Sequence, residues 1–410
     1  MEEHLAAPLL PWWRRFGGVL RHRNYRRYFL GQAFLLVGYW IHSIALAWLV
    51  WRLGGSPLLL GLLAFCDQGP TLVLGPIAGA VADRMDRRML LLFTQSILVL
   101  VAAILALLTL SGAVTVEMAI GATLSIGIVN AFDGPTRQAF VAELVGLDGL
   151  RSAITLNSTL FNVARLVGPA IGGFLIAWAG EGYCFLAKAL AGLPMIAVLA
   201  ALQVRSIQSA AGRVGVLAEV AAGVRFVFAN PNARDYLVIV GVCSFASVPY
   251  FSFLPMLAED VLGGGPDAAG MLMSITGVGA LVAALLLFMM EKMPLTWVPI
   301  GAAALQGASL ILIGLSGTLW LTALLALPMG FAALSQQLSS NALLQQSAPD
   351  NMRGRVMAFY TMMLLGTVPV GAMVAGLSAR AFGLPATTVL GGCTCLLIAA
   401  CVAWLIKRRQ

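Results

Sequence analysis

Long apolar runs separated by short polar segments fill most of this chain. Each run has about the 20 residues that a helix needs to cross a hydrocarbon layer of about 30 Å, and none shows the alternation of a barrel strand. Because lipid offers the backbone no hydrogen-bond partner, each run is predicted to be a membrane-spanning helix. The twelve predicted spans lie near residues 28–50, 57–82, 89–110, 116–138, 153–179, 183–204, 236–258, 268–290, 295–316, 319–343, 356–380 and 386–406.

The composition agrees with a body buried in lipid. Of the 410 residues 60% are hydrophobic and only 10% are charged, whereas an ordinary globular protein carries about 25% charged residues. The chain has no phosphate-binding loop, no His-Glu-x-x-His pair and no nucleophile elbow. We therefore expect no enzyme, no cofactor and no ATP hydrolysis. The six cysteines all fall within predicted spans, so neither a disulfide framework nor a metal site is expected.

The basic residues predict the orientation. The chain has a net charge of +8, but its arginines lie in loops, which argues against nucleic acid as a partner. One side of the predicted bundle holds 21 of the 25 Lys and Arg residues, and the other side holds only Arg52 and Arg380. By the positive-inside rule both termini are predicted to be cytoplasmic, which requires an even number of spans.

The chain also repeats itself at shifts of 208 and 202 residues, which predicts two six-helix halves. The expected organisation is a basic arm (1–27), a first bundle (28–204), a cytoplasmic linker (205–235), a second bundle (236–406) and a short tail (407–410). Leu217, Val220, Val224 and Val227 form a stripe at helical spacing within the linker, which predicts a short amphipathic helix on the membrane surface.

A charged motif lies in the turn after the second span. Residues 79–88 read Gly-Ala-Val-Ala-Asp-Arg-Met-Asp-Arg-Arg, which resembles the Gly-x-x-x-Asp-Arg-x-Gly-Arg-Arg signature of the major facilitator superfamily, with Asp86 in place of the usual glycine. Segments 133–140, 157–173, 225–231 and 349–356 resemble the enterobactin-exporter-like and macrolide-efflux-like branch of that superfamily. The resemblance implies two pseudo-symmetric six-helix bundles that rock about a central site.

The resemblance also implies a latch at the cytoplasmic side. Asp83 would dock against the positive amino-terminal end of the eleventh helix, since helix ends attract opposite charge. Nearby arginines would order the loops of this latch, namely Arg84, Arg87, Arg88, Arg353 and Arg355. The alternative is that these arginines only follow the general excess of positive charge in cytoplasmic turns.

Gly168, Pro169, Gly172 and Gly173 in the fifth span resemble the antiporter motif of drug exporters. Glycines allow a neighbouring helix to approach closely, and proline removes a backbone hydrogen bond. The motif therefore predicts tight, bendable packing where the two halves meet. A simple packing seam is the alternative.

Ionisable residues at membrane depth are the candidates for proton and substrate binding. Asp67 is the leading candidate for a proton carrier, with a helix-locking hydrogen bond beside Gln68 as the alternative. Asp133 lies one turn before Arg137, so an i,i+4 pair is favoured over a carrier. The remaining candidates are Arg165, which would bind an anionic substrate group or pair with a carboxylate; His42, which would titrate or simply pack; and Lys188, which would snorkel to the outer edge.

Polar and aromatic residues of several spans are predicted to line a central cavity. This mixture suits a bulky amphipathic organic molecule better than a sugar or an inorganic ion. Interhelical hydrogen bonding is the alternative for each residue. The predicted set comprises Gln32, Trp40, Asn130, Asn157, Phe161, Phe245, Tyr250, Gln336 and Asn341.

Together these features predict a monomeric transporter of the bacterial inner membrane that exports a siderophore or a drug-like compound, with protons as the coupling ion. Uptake, lipid or lysolipid flipping, and a transport-inactive sensor or scaffold remain as alternatives.

The predicted latch is testable by substitution. Asp83→Asn keeps the side chain's shape and removes the charge that would dock on the helix end, so we expect the variant to insert normally and to transport slowly or not at all. Substrate flux at matched expression measures this effect. Flux equal to that of the unmodified protein would contradict the latch.

Overall fold

The computed structural model describes residues 18–202, 230–289, 295–349 and 352–409. These residues form twelve long helices. One continuous run, Val116–Ala179, is divided into two of them by a break at Gly146. The helices are α1 (Arg23–Gly54), α2 (Pro57–Arg84), α3 (Arg87–Leu110), α4 (Val116–Gly146), α5 (Ser152–Ala179), α6 (Glu181–Ala201), α7 (Pro231–Ser252), α8 (Pro266–Met289), α9 (Val298–Leu315), α10 (Leu319–Ser347), α11 (Arg353–Phe382) and α12 (Leu384–Arg409).

All twelve helices are long and apolar enough to cross a membrane. Large apolar side chains cover their outer surface, including Trp178 and Trp320, which are 77% and 79% exposed. A water-soluble protein would not expose such a surface over its whole girth. The predicted fold class, an all-α membrane protein with twelve spans, is confirmed.

The helices pack as two groups of six. In the first group α1 packs on α5 and α6, α2 on α4, and α3 on α6. In the second group α8 and α9 pack on α10, while α11 and α12 pack on α7. Two seams join the groups: α2 lies against α11, and α5 lies against α8.

Glycine ends helices at corresponding places in the two groups. Gly55 follows α1 and Gly263 precedes α8, and both have a positive φ that other residues rarely adopt. Gly180 and Gly383, which end α5 and α11, form a second such pair. The members of the two pairs are 208 and 203 residues apart, close to the shifts at which the sequence repeats.

The bundle has two ends that differ in charge. We call the end that holds the α2–α3 turn and the Lys407–Arg409 tail the arginine-rich face. The other end, which holds Gly55, Gly180, Gly263 and Gly383, is the opposite face. Ion pairs fasten helix ends at both faces, for example Arg409 to Asp235 at the arginine-rich face and Arg52 to Glu181 at the opposite face.

The seams approach most closely in the half nearer the opposite face. A Cβ added at Gly61 would lie 2.5 Å from the carbonyl oxygen of Ala372 in α11, and one added at Gly173 would lie 2.6 Å from that of Pro266 in α8. Such contacts require the absence of a side chain. The two halves are therefore held together backbone to backbone at this face.

Several predicted boundaries were wrong. The seventh span was predicted to run to residue 258, but α7 ends at Ser252 and a π-helical turn follows at Leu257–Val261. Pro255 explains the break, because it has no N–H for the carbonyl four residues earlier. The fourth helix continues to residue 146 rather than 138.

Helices extend past three of the predicted domain limits. The basic arm was predicted to reach residue 27, yet α1 begins at Arg23. The linker was predicted to reach residue 235, yet Asn230 caps α7 by accepting a hydrogen bond from the Ala233 N–H. The predicted tail belongs to α12, which extends to Arg409. The amphipathic helix predicted in the linker lies outside the described residues.

Close packing inside the second group gives a stability test. A Cβ at Gly330 of α10 would overlap the carbonyl oxygen of Thr276 in α8, so we expect Gly330→Ala to destabilise the protein by about 1–3 kcal/mol. Thermal unfolding of the purified protein in detergent measures this. Gly301→Ala in α9 is the control, because a Cβ there meets nothing within 4 Å; equal melting temperatures for the two variants would contradict the packing.

Candidate functional site: a central cavity between the two helix groups

A cavity of about 520 Å³ lies between the two groups of helices. Its volume is typical of sites that enclose a drug-sized molecule. Both groups contribute to its wall, and Leu254 and Pro255 line it from the segment between α7 and α8. The charged and titratable residues that line it are Tyr39, His42, Asp67, Arg165 and Lys188.

Helical periodicity brings these side chains to one place. In α2 the lining residues Leu60, Ala64, Asp67 and Thr71 recur every three or four positions, so they share one face of the helix. Ser244, Ser247 and Phe251 do the same in α7. Sequence reasoning missed this small-polar stripe, although the spacing of the serines would have revealed it.

Asp67 is an unpaired acid at the centre of the membrane. It lies ten residues into α2 and lines the cavity, and it forms no hydrogen bond or ion pair with a described residue. The alternative of a helix-locking hydrogen bond beside Gln68 therefore has no support in the described contacts. A carboxyl group in this position can accept a proton or a cation from the cavity.

Arg165 faces the cavity from the other seam. Its guanidinium carbon lies 5.9 Å from the ring centre of Trp40 and 5.6 Å from that of Phe251, one ring from each helix group. It has no carboxylate partner among the described residues. Cation–π contacts hold the guanidinium plane while its N–H donors remain available to an anion.

Lys188 lies deeper in the wall than the sequence predicts, and His42 packs within the wall. Lys188 was expected to snorkel to the outer edge, but it is buried and its Nζ lies 5.8 Å from the ring centre of Tyr39. His42 is also buried, and its ring packs edge-on against Phe185. Neither nitrogen of His42 has a hydrogen-bond partner among the described residues.

Two further polar groups of the cavity wall are buried without partners. These are the Trp40 indole N–H and the Gln306 side-chain oxygen. Buried polar groups in proteins are nearly always hydrogen-bonded. The wall therefore contains one unmatched donor and one unmatched acceptor, both enclosed by protein atoms.

Asp133 belongs to a different arrangement, away from the cavity. One oxygen of its carboxylate accepts hydrogen bonds from Thr94 and Gln95 of α3, at 2.8 and 2.7 Å. The other accepts two from Arg137. The i,i+4 pair favoured by the sequence is present, and it ties α4 to α3. With its oxygens fully engaged, Asp133 is a structural acid.

Of the nine residues predicted to line the cavity, four do so in the structure and five do not. Trp40, Asn130, Phe161 and Gln336 line the cavity. The other five do not line it, because their side chains pack or bond elsewhere. Gln32 is buried in α1, Asn157 accepts a hydrogen bond from Tyr25, Phe245 packs near Gly371, Tyr250 bonds to Thr276, and Asn341 bonds to Gln345.

The arginines of the predicted latch make local contacts. Arg87 forms an ion pair of 2.5 Å with Glu143 of α4. Arg88 donates to the carbonyl oxygens of Leu199 and Ala200 at the end of α6. In the second group Arg353 donates to the Gln345 carbonyl at 3.4 Å. These contacts order the arginine-rich face within each group.

The structure describes fewer contacts for the other members of the predicted latch. Arg84 is exposed at the end of α2, and Arg355 contacts the sulfur of Met352 within its own turn. Asp83 lies in the last turn of α2, but its side chain is outside the described ones. The latch itself therefore stays a prediction.

A hydrogen bond joins the two groups at the opposite face. Trp51 Nε1 donates to Glu259 Oε2 at 2.8 Å, linking the end of α1 to the π-helical turn after α7. Burial and then the neighbouring Glu259 carboxylate raise the pKa of Asp260. This polar contact adds to the backbone contacts that close the opposite face.

The four residues of the predicted antiporter motif pack on two sides of α5. Gly168 and Gly172 face α1, where a Cβ would crowd Trp40 and Ile44. Gly173 and the carbonyl of Pro169 face Gly270 of α8. Pro169 also leaves the Arg165 carbonyl, four residues earlier, without its helical partner. The motif thus holds α5 against both its own group and the other one.

Comparison with known proteins identifies relatives of the whole chain. Residues 18–410 match the model of a family described as transmembrane secretion effector. The staphyloferrin A transporter of Staphylococcus aureus is 28% identical, over 93% of this chain and 96% of that protein. The multidrug efflux pump Tap of Mycolicibacterium fortuitum is 29% identical (90% and 92%), and macrolide efflux protein A of Streptococcus pyogenes is 23% identical (90% and 92%).

Solved structures share the fold at low sequence identity. A bacterial homologue of the human lysosomal transporter Spinster, in an inward-facing and unoccupied conformation, superposes with a TM-score of 0.71 at 16% identity, covering 94% of this chain and 97% of that one. A D-xylose–proton symporter gives 0.71 at 15% identity, with the same coverage. Both similarities concern the arrangement of helices.

The contrast between Asp133, which is paired, and Asp67, which has no described partner, is testable. Asp133→Asn would leave the Arg137 guanidinium buried without its partner, so we expect a loss of stability of about 3–5 kcal/mol. Asp67→Asn removes an acid that has no partner, so its melting temperature should equal or exceed that of the unmodified protein. Thermal unfolding in detergent compares the two variants, and a larger loss for Asp67→Asn would contradict this assignment.

Proposed function

The chain belongs to the transmembrane secretion effector family of the major facilitator superfamily, and we propose that it exports a small amphipathic organic compound in exchange for protons. The chain is a multi-pass membrane transporter and not an enzyme. The substrate, the direction and the coupling ion are the proposed part. The proposal places it in the bacterial inner membrane with its arginine-rich face in the cytoplasm.

One observation carries the proposal: the cavity between the helix groups contains an unpaired acid, Asp67, together with aromatic and aliphatic walls. An acid without a partner at membrane depth is free to take up and release a proton as the exposure of the cavity alternates. The apolar lining fits an amphipathic compound better than an inorganic ion.

The relatives support export of such a compound. Two of them are named for efflux, of several drugs or of macrolides, and one is named as a transporter of the siderophore staphyloferrin A. Siderophores and drug-like molecules are therefore the leading substrate classes.

The geometry supports alternating access through the two seams. The opposite face is closed by glycine contacts and by the Trp51–Glu259 hydrogen bond. Both contacts lie between groups and not within one, so a rocking motion could separate them while each six-helix group stays intact. With the arginine-rich face in the cytoplasm, the closed side is the external one.

Export by proton exchange predicts a specific defect in Asp67→Asn. In liposomes containing the purified protein and a trapped pH-sensitive dye, adding an amphipathic substrate should drive protons across the membrane in the unmodified protein. Asp67→Asn cannot release a proton, so this proton flux should fall to the level of empty liposomes while exchange of labelled for unlabelled substrate continues.

Gly301→Ala is the control for reconstitution, because its added methyl group contacts nothing. Substrate flux that is the same with and without an imposed pH gradient would indicate facilitated diffusion and overturn the exchange mechanism. Accumulation of substrate in the same direction as protons would indicate uptake. A proton flux unchanged in Asp67→Asn would remove Asp67 from the mechanism.

A further inference from the structure

Asp67 and Arg165 are opposite charges that share one cavity without pairing. They lie on helices of the two different seams: Asp67 on α2, beside α11, and Arg165 on α5, beside α8. Helix α1 packs on α5 between them, and α4 packs on α2. Neither residue forms an ion pair with the other or with any further described residue.

Elsewhere in the described part of the chain, four acids are paired with arginines. Asp133 binds Arg137, Glu143 binds Arg87, Glu181 binds Arg52, and Asp235 binds Arg409. An unpaired charge at the membrane centre costs about 2.5–3.5 kcal/mol on insertion scales. Among the described residues, the cavity therefore keeps the acid Asp67 and the bases Arg165 and Lys188 without an ion pair, and a ligand can satisfy Asp67 and Arg165 together.

The surroundings of Arg165 favour a planar anionic group. The rings of Trp40 and Phe251 hold its guanidinium, and planar guanidinium groups bind carboxylates through two parallel hydrogen bonds. Lys188 gives the cavity a second cation, so a substrate without an anionic group would meet a surplus of positive charge.

The surroundings of Asp67 leave it open to a cationic group. From α1 the titratable residues that line the same cavity are Tyr39 and His42, and Cys66 is adjacent on α2 itself. The residues that α4 and α11 contribute to the lining are uncharged: Thr123, Ile126, Asn130, Leu364, Leu365 and Val368. No described base competes for the Asp67 carboxylate through an ion pair.

We propose that Asp67 and Arg165 form a two-point site for an amphiphile that carries both a cationic nitrogen and a carboxylate. The nitrogen binds Asp67, the carboxylate binds Arg165, and the apolar body lies along the aromatic wall. This inference rests on the proposed function and names its substrate class. It also predicts that substrate and proton move in opposite directions, because a cationic nitrogen and a proton compete for the same carboxylate and must be exchanged for each other.

The test uses three forms of one fluorescent molecule and the purified full-length protein in detergent. Nε-dansyl-lysine carries both charges, its methyl ester lacks the anion, and its Nα-acetyl derivative lacks the cation. We expect the zwitterion to bind about 10-fold or more tighter than either derivative, since each lost charge leaves one charged residue unpaired.

Variants assign each charge to its residue. Arg165→Gln should bind the zwitterion no more tightly than the methyl ester. Asp67→Asn should bind the zwitterion no more tightly than the Nα-acetyl derivative. Arg165→Lys, which keeps the charge but not the planar fork, should retain part of the preference. Gly301→Ala in α9 is the control, because it lies outside the cavity lining and its added methyl group contacts nothing, so both preferences should survive in it.

Three results would overturn the two-point site: equal binding of the three forms, no binding of any form, or preferences unchanged in the variants. If Arg165 only binds a ligand, removing its unpaired charge should not lower the melting temperature of the ligand-free protein. A melting temperature of Arg165→Gln below that of the unmodified protein would therefore show that Arg165 is a structural anchor instead. Binding is measured without a pH gradient. Its failure would therefore leave proton-driven export standing, and failure of export would appear only in the flux measurement.

Discussion

The absence of water inside the membrane is the constraint on which this structure depends. Every polar group there must find its partner within the protein. The backbone does so by forming twelve helices, and the charged residues do so by pairing across neighbouring helices. Asp133 shows the rule most clearly, because three side chains from two helices satisfy its carboxylate. Against this background, Asp67 and Arg165, which form no ion pair with a described residue, point to a binding site in the cavity and not to a defect.

The second determinant is how closely helices approach. Hydrophobic burial does not drive association in lipid, so contact depends on small residues that let backbones touch. The chain uses the same device for two purposes. Within a group, glycines such as Gly330 fix permanent contacts, while between the groups Gly61, Gly173 and Gly270 form seams near one face. Near this face the described contacts of the seams are backbone contacts and the Trp51–Glu259 hydrogen bond, so the seams can open there without breaking a described ion pair.

Much of the architecture could be predicted from sequence because its causes are local. The length of the apolar runs predicted twelve helices, and the repeat shifts predicted two corresponding halves. The positive-φ glycines at corresponding turns, such as Gly180 and Gly383, are spaced close to those shifts. The Asp133–Arg137 pair could also be predicted, since it needs only i,i+4 spacing on one helix. Boundaries were less certain: a proline near the end of α7 converts the expected helix into a π-helical turn.

The sequence by itself determined the fold class, the number of spans and which residues carry charge into the membrane, because membrane insertion depends on the composition of each segment. Only the tertiary structure decided which of those charges are paired. Asp67 and Asp133 are both acids of apolar helices, yet one faces a cavity and the other meets Arg137, Thr94 and Gln95. Lys188 likewise turns inward against Tyr39 and away from the membrane edge. The rotation of each helix about its axis, set by packing against its neighbours, made these choices.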